Sequence, residues 1–192
     1  MRPQNSNHAE KQTLKRAIFI GGIHGVGKTT LCKELSKKIG LDHYSASTLI
    51  KSLKQDKSNG GSKNVLNIES NQELLISAIN CYINKSDYYI IDGHFCVLDK
   101  EGKVTKIPKG TFKYINPTRI IVLHDDVSNI QKKIELRDSL MMPSELLSTF
   151  QNCEIESAEE IAKDLHVPYL LFDVSHPMSK IELFLDEVMS EG

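Results

Sequence analysis

The chain has 192 residues, of which 40% are hydrophobic and 26% are charged, a composition typical of one globular domain that buries a core. Its 24 basic and 25 acidic residues nearly cancel, so the chain as a whole has no net field that would attract nucleic acid or a membrane surface. The sequence has no apolar run of the ~20 residues that a bilayer span needs, and we expect a cytoplasmic protein without membrane contact.

The first half of the sequence predicts a leader, two strands and three helices. Residues 1–16 are polar and lack the apolar core of a signal peptide, so we expect a flexible leader before a single domain at 17–192. A polar, glycine-rich stretch at 54–64 predicts a mobile loop. The predicted elements are strands at 16–20 and 41–45 and helices at 29–40, 46–54 and 71–83.

The second half continues the alternation of strands and helices. Two short runs that flank Lys-Glu-Gly-Lys at 95–107 suggest a hairpin. Strands that alternate with helices predict an α/β fold in which helices cover both faces of a parallel sheet. The further predicted elements are strands at 87–93, 119–126 and 168–174 and helices at 127–138, 144–165 and 178–190.

The four cysteines, Cys32, Cys81, Cys96 and Cys153, lie far apart along the chain. They form no Cys-x-x-Cys pair, so their spacing does not favour a zinc site. We expect four reduced and mostly buried thiols. For Cys32, on the helix after the glycine-rich segment described next, we expect a packing role.

The segment GGIHGVGKTT at 21–30 carries the clearest chemical signal. It matches the phosphate-binding pattern Gly-x-x-x-x-Gly-Lys-Thr, between a predicted strand and a predicted helix. Glycines let successive N–H groups turn inward, and the helix presents its positive end to an anion. We expect Lys28 to bridge the β- and γ-phosphates of ATP and the Thr29 hydroxyl to ligate Mg²⁺. The predicted nucleotide-binding residues are Gly22, Gly25, Val26, Gly27, Lys28, Thr29 and Thr30.

Two predicted strands end in carboxylates that would complete a magnesium site, since parallel strands end at one edge of a sheet. Asp92 ends one of them, and Asp125 and Asp126 end the other. Asp126 has the alternative role of capping the next helix. We favour Asp92, because His94 follows two residues later and would orient a water molecule or an acceptor hydroxyl. The alternative for His94 is a structural histidine bonded to the backbone.

Positive charge over the transferred phosphoryl group is expected from Arg137, which precedes the segment DSLMMPSE. The alternative is a solvated arginine that stabilises a helix C-terminus. His24, inside the glycine loop, is interpreted as a packing residue. Lysines cluster in two other regions, where they would either contact an acceptor phosphate or RNA, or simply face solvent. No aromatic residues alternate with these lysines, so base stacking has no support in the sequence.

Three segments, GGIHGVGKTTLCKELSKKIGLDHY, YYIIDGH and RIIVLHDD, together make the chain similar to a known family. It resembles the small adenylate kinases of archaea and the nuclear adenylate kinase–ATPase involved in eukaryotic ribosome assembly. The resemblance spans most of residues 17–190 and includes INPTRIIVL and FQNCEIESAEEIAKDL. The Asp92-x-His94 pair matches the nuclear branch, and the hairpin after it resembles the archaeal one.

The resemblance implies a three-layer P-loop NTPase fold with five parallel strands in the order 2-3-1-4-5. It also implies an acceptor site for a nucleoside monophosphate over residues 45–66, with Ser45, Ser47 and Lys63, and a lid at 137–144. Family members transfer phosphate from ATP to AMP, or hydrolyse ATP while they act on a partner.

The sequence departs from the family in the acceptor and lid regions. YSASTLI stands where the family usually has a Gly-Asp or similar pair. The archaeal enzymes carry an arginine near Asn64, where this chain has Lys63, and lysine lacks the bidentate fork that grips a phosphate. The archaeal lid contains several arginines, and here only Arg137 is present, with Lys132 and Lys133 upstream.

We favour a nucleoside monophosphate kinase of adenylate-kinase type that uses ATP and Mg²⁺. One alternative is an ATPase switch that controls a protein or RNA partner, which the thinned acceptor site favours. Another is a kinase for a different small acceptor, such as a nucleoside or a metabolite. Turnover that depends on AMP distinguishes the first hypothesis from the second.

Overall fold

A computed structural model describes residues 16–59, 71–83, 88–139 and 141–189 of the chain. These residues form strands and helices in alternation, as the sequence predicts. In chain order the elements are β1 (Arg16–Gly21), α1 (Lys28–Ile39), β2 (His43–Ser45), α2 (Ala46–Asn59), α3 (Asn71–Tyr82), β3 (Tyr88–Asp92), β4 (Cys96–Leu98), β5 (Val104–Lys106), α4 (Lys109–Ile115), β6 (Pro117–His124), α5 (Val127–Asp138), α6 (Ser144–Leu165), β7 (Tyr169–Asp173) and α7 (Ser179–Met189).

Five strands form one parallel sheet in the order β2-β3-β1-β6-β7. The expected five-stranded parallel sheet is therefore confirmed. The order differs in its numbers from the expected 2-3-1-4-5, because the hairpin strands β4 and β5 are counted between β3 and β6. These two strands pair antiparallel in a separate small sheet, at the place where the sequence predicts a hairpin.

Helices pack on both faces of the sheet, which explains why its strands read as continuous apolar runs. Successive residues of β1 point to opposite faces. Ala17 and Phe19 belong to the core shared with α2, α3 and α4. Ile18 and Ile20 belong to the core shared with α1, α5 and α7. Each cluster consists of buried apolar side chains, so the glycine loop after β1 is anchored between two packed layers.

The structure corrects two expectations about local structure. The helix α2 continues to Asn59, whereas the polar, glycine-rich composition of 54–64 predicts a loop from residue 54 onward. The segment 54–59 contains neither glycine nor proline, so its polarity alone does not end the helix. The helix α4 was not predicted; its seven residues bury Thr111, Phe112 and Ile115, a pattern too short to show a helical period.

Several expectations fall on residues outside the described part of the chain. They are the leader up to residue 15, the end of the predicted loop at 60–64, and Lys63. Among the residues that the structure does describe, no helix combines the length and the apolar character that crossing a bilayer requires.

Candidate active site

The glycine loop connects the end of β1 to the start of α1, at the carboxyl edge of the sheet. Gly22 and Gly25 have φ angles of 139° and 83°, which favour glycine. A Cβ atom on Gly22 would lie 2.7 Å from the carbonyl oxygen of Leu123, and one on Gly25 would lie 2.6 Å from Cγ1 of Ile134. Both positions therefore require glycine for their conformation and for the space around them.

Lys28 begins α1 and turns its side chain back over the loop. Its ammonium group donates hydrogen bonds to the carbonyl oxygens of Gly22 at 2.6 Å and Ile23 at 3.0 Å. Burial lowers the pKa of Lys28 to about 8, even though the Glu154 and Asp92 carboxylates raise it. A partly desolvated ammonium at a helix N-terminus without acidic residues in its first turn is suited to bind phosphate.

A cavity of about 730 Å³ opens on the glycine loop and extends toward α2, α3 and α4. Most of the predicted site residues line it. Val26 does not, since its side chain is buried in the core. Gly22 lies behind the loop against Leu123. The predicted residues that line the cavity are Gly25, Gly27, Lys28, Thr29, Thr30, Ser45, Ser47, Asp92, His94 and Arg137.

Asp92 ends β3 and lines the cavity at the carboxyl edge of the sheet, between the ends of β2 and β1. Its Oδ2 atom lies 2.7 Å from Nε2 of His43, and both side chains are at most 10% exposed. His43 was not predicted as a site residue, since β2 is only three residues long and carries no motif. Cys32 lies next to this pair. One potential metal-ligand atom of each of the three residues lies within 4.8 Å of the other two. These donor types also suit a transition metal.

The two other candidate carboxylates are engaged elsewhere. Asp126 caps α5, accepting a hydrogen bond of 2.7 Å from the backbone N–H of Ser128. Asp125 forms a 2.6 Å ion pair with Lys133. Burial alone would raise the pKa of Asp125, but hydrogen bonds from Asn129 and Lys133 hold it below its usual value. Of the three carboxylates, only Asp92 is among the described residues that line the cavity.

His94 is held by a buried carboxylate that the sequence analysis did not identify. Its Nδ1 atom lies 2.9 Å from Oε1 of Glu154, and the other carboxylate oxygen of Glu154 accepts a 2.8 Å hydrogen bond from the backbone N–H of Phe95. Glu154 is 1% exposed, and His94 also stacks on Phe150. A carboxylate on one nitrogen fixes the ring and leaves the other nitrogen for a ligand.

A signal for Glu154 exists in the sequence of α6. Phe150, Glu154, Ala158 and Ile161 are all buried, and their spacing places them on one helical face. An acidic residue on an otherwise apolar helical face requires a buried partner. The pattern therefore marks Glu154 as unusual, although it does not identify His94 as the partner.

Arg137 lies at the end of α5 and meets the glycine loop. The Nη2 atom of its guanidinium group lies 3.3 Å from Nδ1 of His24 and also contacts Nε2 of that ring. Both residues contact the Oδ2 atom of Asp138. The distance is 2.8 Å from the guanidinium of Arg137 and 2.9 Å from Nε2 of His24. Hydrogen bonds from Arg137 and His24 lower the pKa of Asp138 to about 2. His24 therefore links the loop to Arg137, and its expected role in loop packing is incomplete.

The expected acceptor region is described only in part. Ser45 and Ser47 line the cavity, and their hydroxyl oxygens lie 3.1 Å apart. Lys63 lies outside the described residues. The expected lid at 137–144 corresponds to the connection between α5, which ends at Asp138, and α6, which begins at Ser144. Its action as a lid stays a prediction.

The comparisons with known proteins agree with this architecture. The model of a family described as "AAA domain" matches residues 21–146. A candidate kinase from Chloroflexus aurantiacus J-10-fl is 17% identical, with 93% of this chain and 98% of that chain covered and a TM-score of 0.52. An uncharacterized protein from Eubacterium ventriosum ATCC 27560 is 8% identical, with 93% and 99% covered and a TM-score of 0.50.

A gluconokinase from Sinorhizobium meliloti 1021 is 16% identical, with 89% of each chain covered and a TM-score of 0.49. No curated protein matches the chain significantly. At these identities the structural likeness shows the fold alone. The family match, the five-stranded parallel sheet and the glycine loop after β1 are consistent with a P-loop NTPase fold.

Proposed function

The chain belongs to the AAA domain family, and from that premise we propose that it is an ATP-dependent phosphotransferase. The γ-phosphate of ATP passes to a small acceptor, and AMP is the first candidate because of the resemblance to adenylate kinases. The observation that supports this most is the shared cavity. It connects the glycine loop with Ser45 and Ser47, so a donor and an acceptor would lie in one continuous cavity.

The position of Asp92 in the sheet supports its proposed role between a donor half and an acceptor half of the cavity. β3 lies between β1 and β2, and in its register Asp92 is paired with Ile20 on one side and Ser45 on the other. The first neighbour leads into the glycine loop and the second into the acceptor half. Asp92 is therefore at the point where a transferred group would cross.

The residues on the donor side fit ATP with magnesium. Lys28 offers an ammonium group whose hydrogen-bond partners among the described residues are two loop carbonyls, and phosphate oxygens are stronger acceptors for it. Thr29 and Asp92 both line the cavity and would hold Mg²⁺ through hard oxygen ligands. The bound ion supplies positive charge to the phosphate oxygens. The backbone of Gly25, Gly27 and Thr30 completes the cradle.

Helix α5 contributes two cationic side chains to the cavity, of which Lys133 is already paired with Asp125. Arg137 and Lys133 line the same cavity as Lys28. In this proposal Arg137 stabilises the charge on the phosphoryl group in transit. Its ion pair with Asp138 and its contact with His24 hold the guanidinium next to the loop.

A second candidate function is supported by the pairing of His94 with Glu154. A phosphate acceptor such as AMP is already ionised at its attacking oxygen and needs no base. A hydroxyl group or a water molecule does need one, and a histidine held by a carboxylate provides it. The pair therefore favours either a hydroxyl acceptor or hydrolysis of ATP by an ATPase switch with a protein or RNA partner.

The test is turnover of ATP and Mg²⁺ alone and with AMP, CMP, UMP, GMP or dAMP added singly. A many-fold increase in ADP with one monophosphate, and its appearance as the diphosphate, supports the nucleotide kinase. An equal slow rate under all conditions contradicts it and favours the switch. Lys28→Ala removes turnover in either case, whereas Lys33→Ala, on the exposed side of α1, is the matched control and retains it.

A further inference from the structure

Cys96 and Cys153 lie side by side next to the candidate active site. Their sulfur atoms are 2.6 Å apart, although 57 positions separate the residues in sequence. Cys96 begins β4 and Cys153 lies on α6. The hydroxyl oxygen of Ser157 lies 3.3 Å from the sulfur of Cys96 and 3.9 Å from that of Cys153. Both cysteines are free thiols in this structure.

We propose that Cys96 and Cys153 form a reversible dithiol site, which a low-molecular-weight disulfide oxidises to one intramolecular disulfide. The bond requires a sulfur–sulfur distance of about 2.0 Å, so a small movement of either side chain is enough. This inference concerns the thiols alone and does not depend on the phosphotransferase proposal.

The different exposure of the two thiols sets the order of the exchange. Cys153 is partly exposed, whereas Cys96 is fully buried. Burial, together with the hydrogen bond to Cys153, raises the pKa of Cys96 to about 12. The thiolate is the nucleophile in such exchanges. Cys153 is therefore the thiol that meets an external disulfide first, and Cys96 is the thiol that resolves the product.

With glutathione disulfide as oxidant, the Cys153 thiolate attacks one sulfur atom and breaks the glutathione S–S bond. One glutathione thiolate leaves, and Cys153 carries a mixed disulfide. Cys96 then loses its proton, and its thiolate attacks the sulfur of Cys153 and breaks the bond to glutathione. The departing glutathione thiolate takes up the proton. Two protein thiols are oxidised, and one glutathione disulfide is reduced to two glutathione molecules.

The bond would join β4 to α6 at the point where His94 is held. Cys96 follows His94 by two residues, and Cys153 directly precedes Glu154. The disulfide would therefore fix the two segments that carry the hydrogen bond between His94 and Glu154. The other thiols differ in their surroundings, since Cys32 is buried beside Asp92 and His43 and Cys81 is exposed.

The test uses the full-length Cys81→Ser chain, because the exposed Cys81 would take up glutathione independently. Three of the four cysteines remain in this variant. After treatment with glutathione disulfide, the number of thiols per chain that can be titrated under denaturing conditions should fall from three to one. Mass spectrometry should find a peptide that links Cys96 to Cys153 and no retained glutathione, and dithiothreitol should restore all three thiols.

The matched control is the double variant Cys81→Ser/Cys153→Ser. Its two remaining thiols, Cys32 and Cys96, are fully buried, so both should stay titratable after the same treatment. The proposal is overturned if the Cys81→Ser chain keeps three titratable thiols while the wild-type chain takes up glutathione at Cys81. It is also overturned if Cys153 retains glutathione without a bond to Cys96.

Discussion

The Nδ1 atom of His94 lies 2.9 Å from the Oε1 atom of Glu154, across 60 positions of sequence. The second oxygen of the same carboxylate accepts the backbone N–H of the next residue, Phe95. Glu154 thus fixes both the imidazole ring and the chain that carries it. This arrangement leaves the far side of the ring facing the cavity that also contains the glycine loop.

With a hydroxyl acceptor or water, for which the pair of His94 and Glu154 would serve as the base, Glu154→Gln is expected to lower kcat about ten- to a hundredfold and to leave the KM for ATP nearly unchanged. The amide oxygen can still accept the N–H of Phe95, so the chain should fold. It no longer supplies the negative charge that holds the histidine ring. Steady-state kinetics check this result. Glu156→Gln, at an exposed position of the same helix, is the control and should retain full activity.

ATP affinity is expected to fall as the pH rises above about 8. The free protein loses the Lys28 proton there, since burial lowers the pKa of this group from 10.5 to about 8. Bound phosphate oxygens stabilise the ammonium form of Lys28, so the protein must take up a proton when it binds ATP at higher pH. Proton linkage then reduces the binding constant by up to about tenfold per pH unit.

Calorimetry in buffers of different ionisation enthalpy measures this proton uptake directly. Lys28→Arg is the matched variant, because arginine stays protonated throughout the range. Its ATP affinity should vary little with pH, whatever its absolute value. An ATP affinity of the wild-type chain that is constant between about pH 7 and about pH 9.5 would contradict the linkage argument.

Asp92→Asn and Asp126→Ala separate the two roles that strand-end carboxylates have in this protein. Asp92 lines the cavity, so its substitution should abolish magnesium-dependent turnover. Asp126 caps α5, so its substitution should lower the melting temperature and leave kcat unchanged. Thermal unfolding and turnover, measured on both variants, check the assignment. If Asp92→Asn is fully active and Asp126→Ala is inactive, the roles assigned to these two carboxylates are wrong.

Gly25→Ala is expected to lower the free energy of unfolding by about 1–3 kcal/mol and to weaken ATP binding. The new Cβ would lie 2.6 Å from Cγ1 of Ile134, at a φ angle of 83°. Gly110→Ala is the control, because no heavy atom of the described residues beyond its own helix and chain neighbours lies within 4 Å of its new Cβ. It should be as stable as the wild type or slightly more stable. Urea unfolding distinguishes the two variants.

Much of this architecture can be predicted from the sequence, because its signals are local. The apolar run of β1, the glycine pattern after it and the amphipathic α1 are contiguous, and each follows from the chemistry of its own residues. The parallel sheet follows from the alternation of such segments. Asp92 could be placed at the strand end because strand and carboxylate are adjacent in sequence.

The pairings that shape the site could not be predicted, because they join distant segments. His24 and Arg137 meet across 113 positions and His43 and Asp92 across 49. Each contact depends on how a helix or an edge strand packs on the sheet. Glu154 offered a partial signal as a charged residue on a buried helical face, but its partner was determined by tertiary packing. The short helix α4 gave no periodic pattern at all.

The central claim is that this protein transfers the γ-phosphate of ATP to a small acceptor. The most direct measurement is phosphorus NMR of a single reaction that contains the protein, ATP, AMP and Mg²⁺, with Lys28→Ala as the inactive control. If the γ-phosphate passes to AMP, AMP and ATP disappear together and ADP accumulates without inorganic phosphate. Release of inorganic phosphate with AMP unconsumed would contradict transfer to AMP, and ATP that stays unchanged with every acceptor added would contradict the phosphotransferase itself.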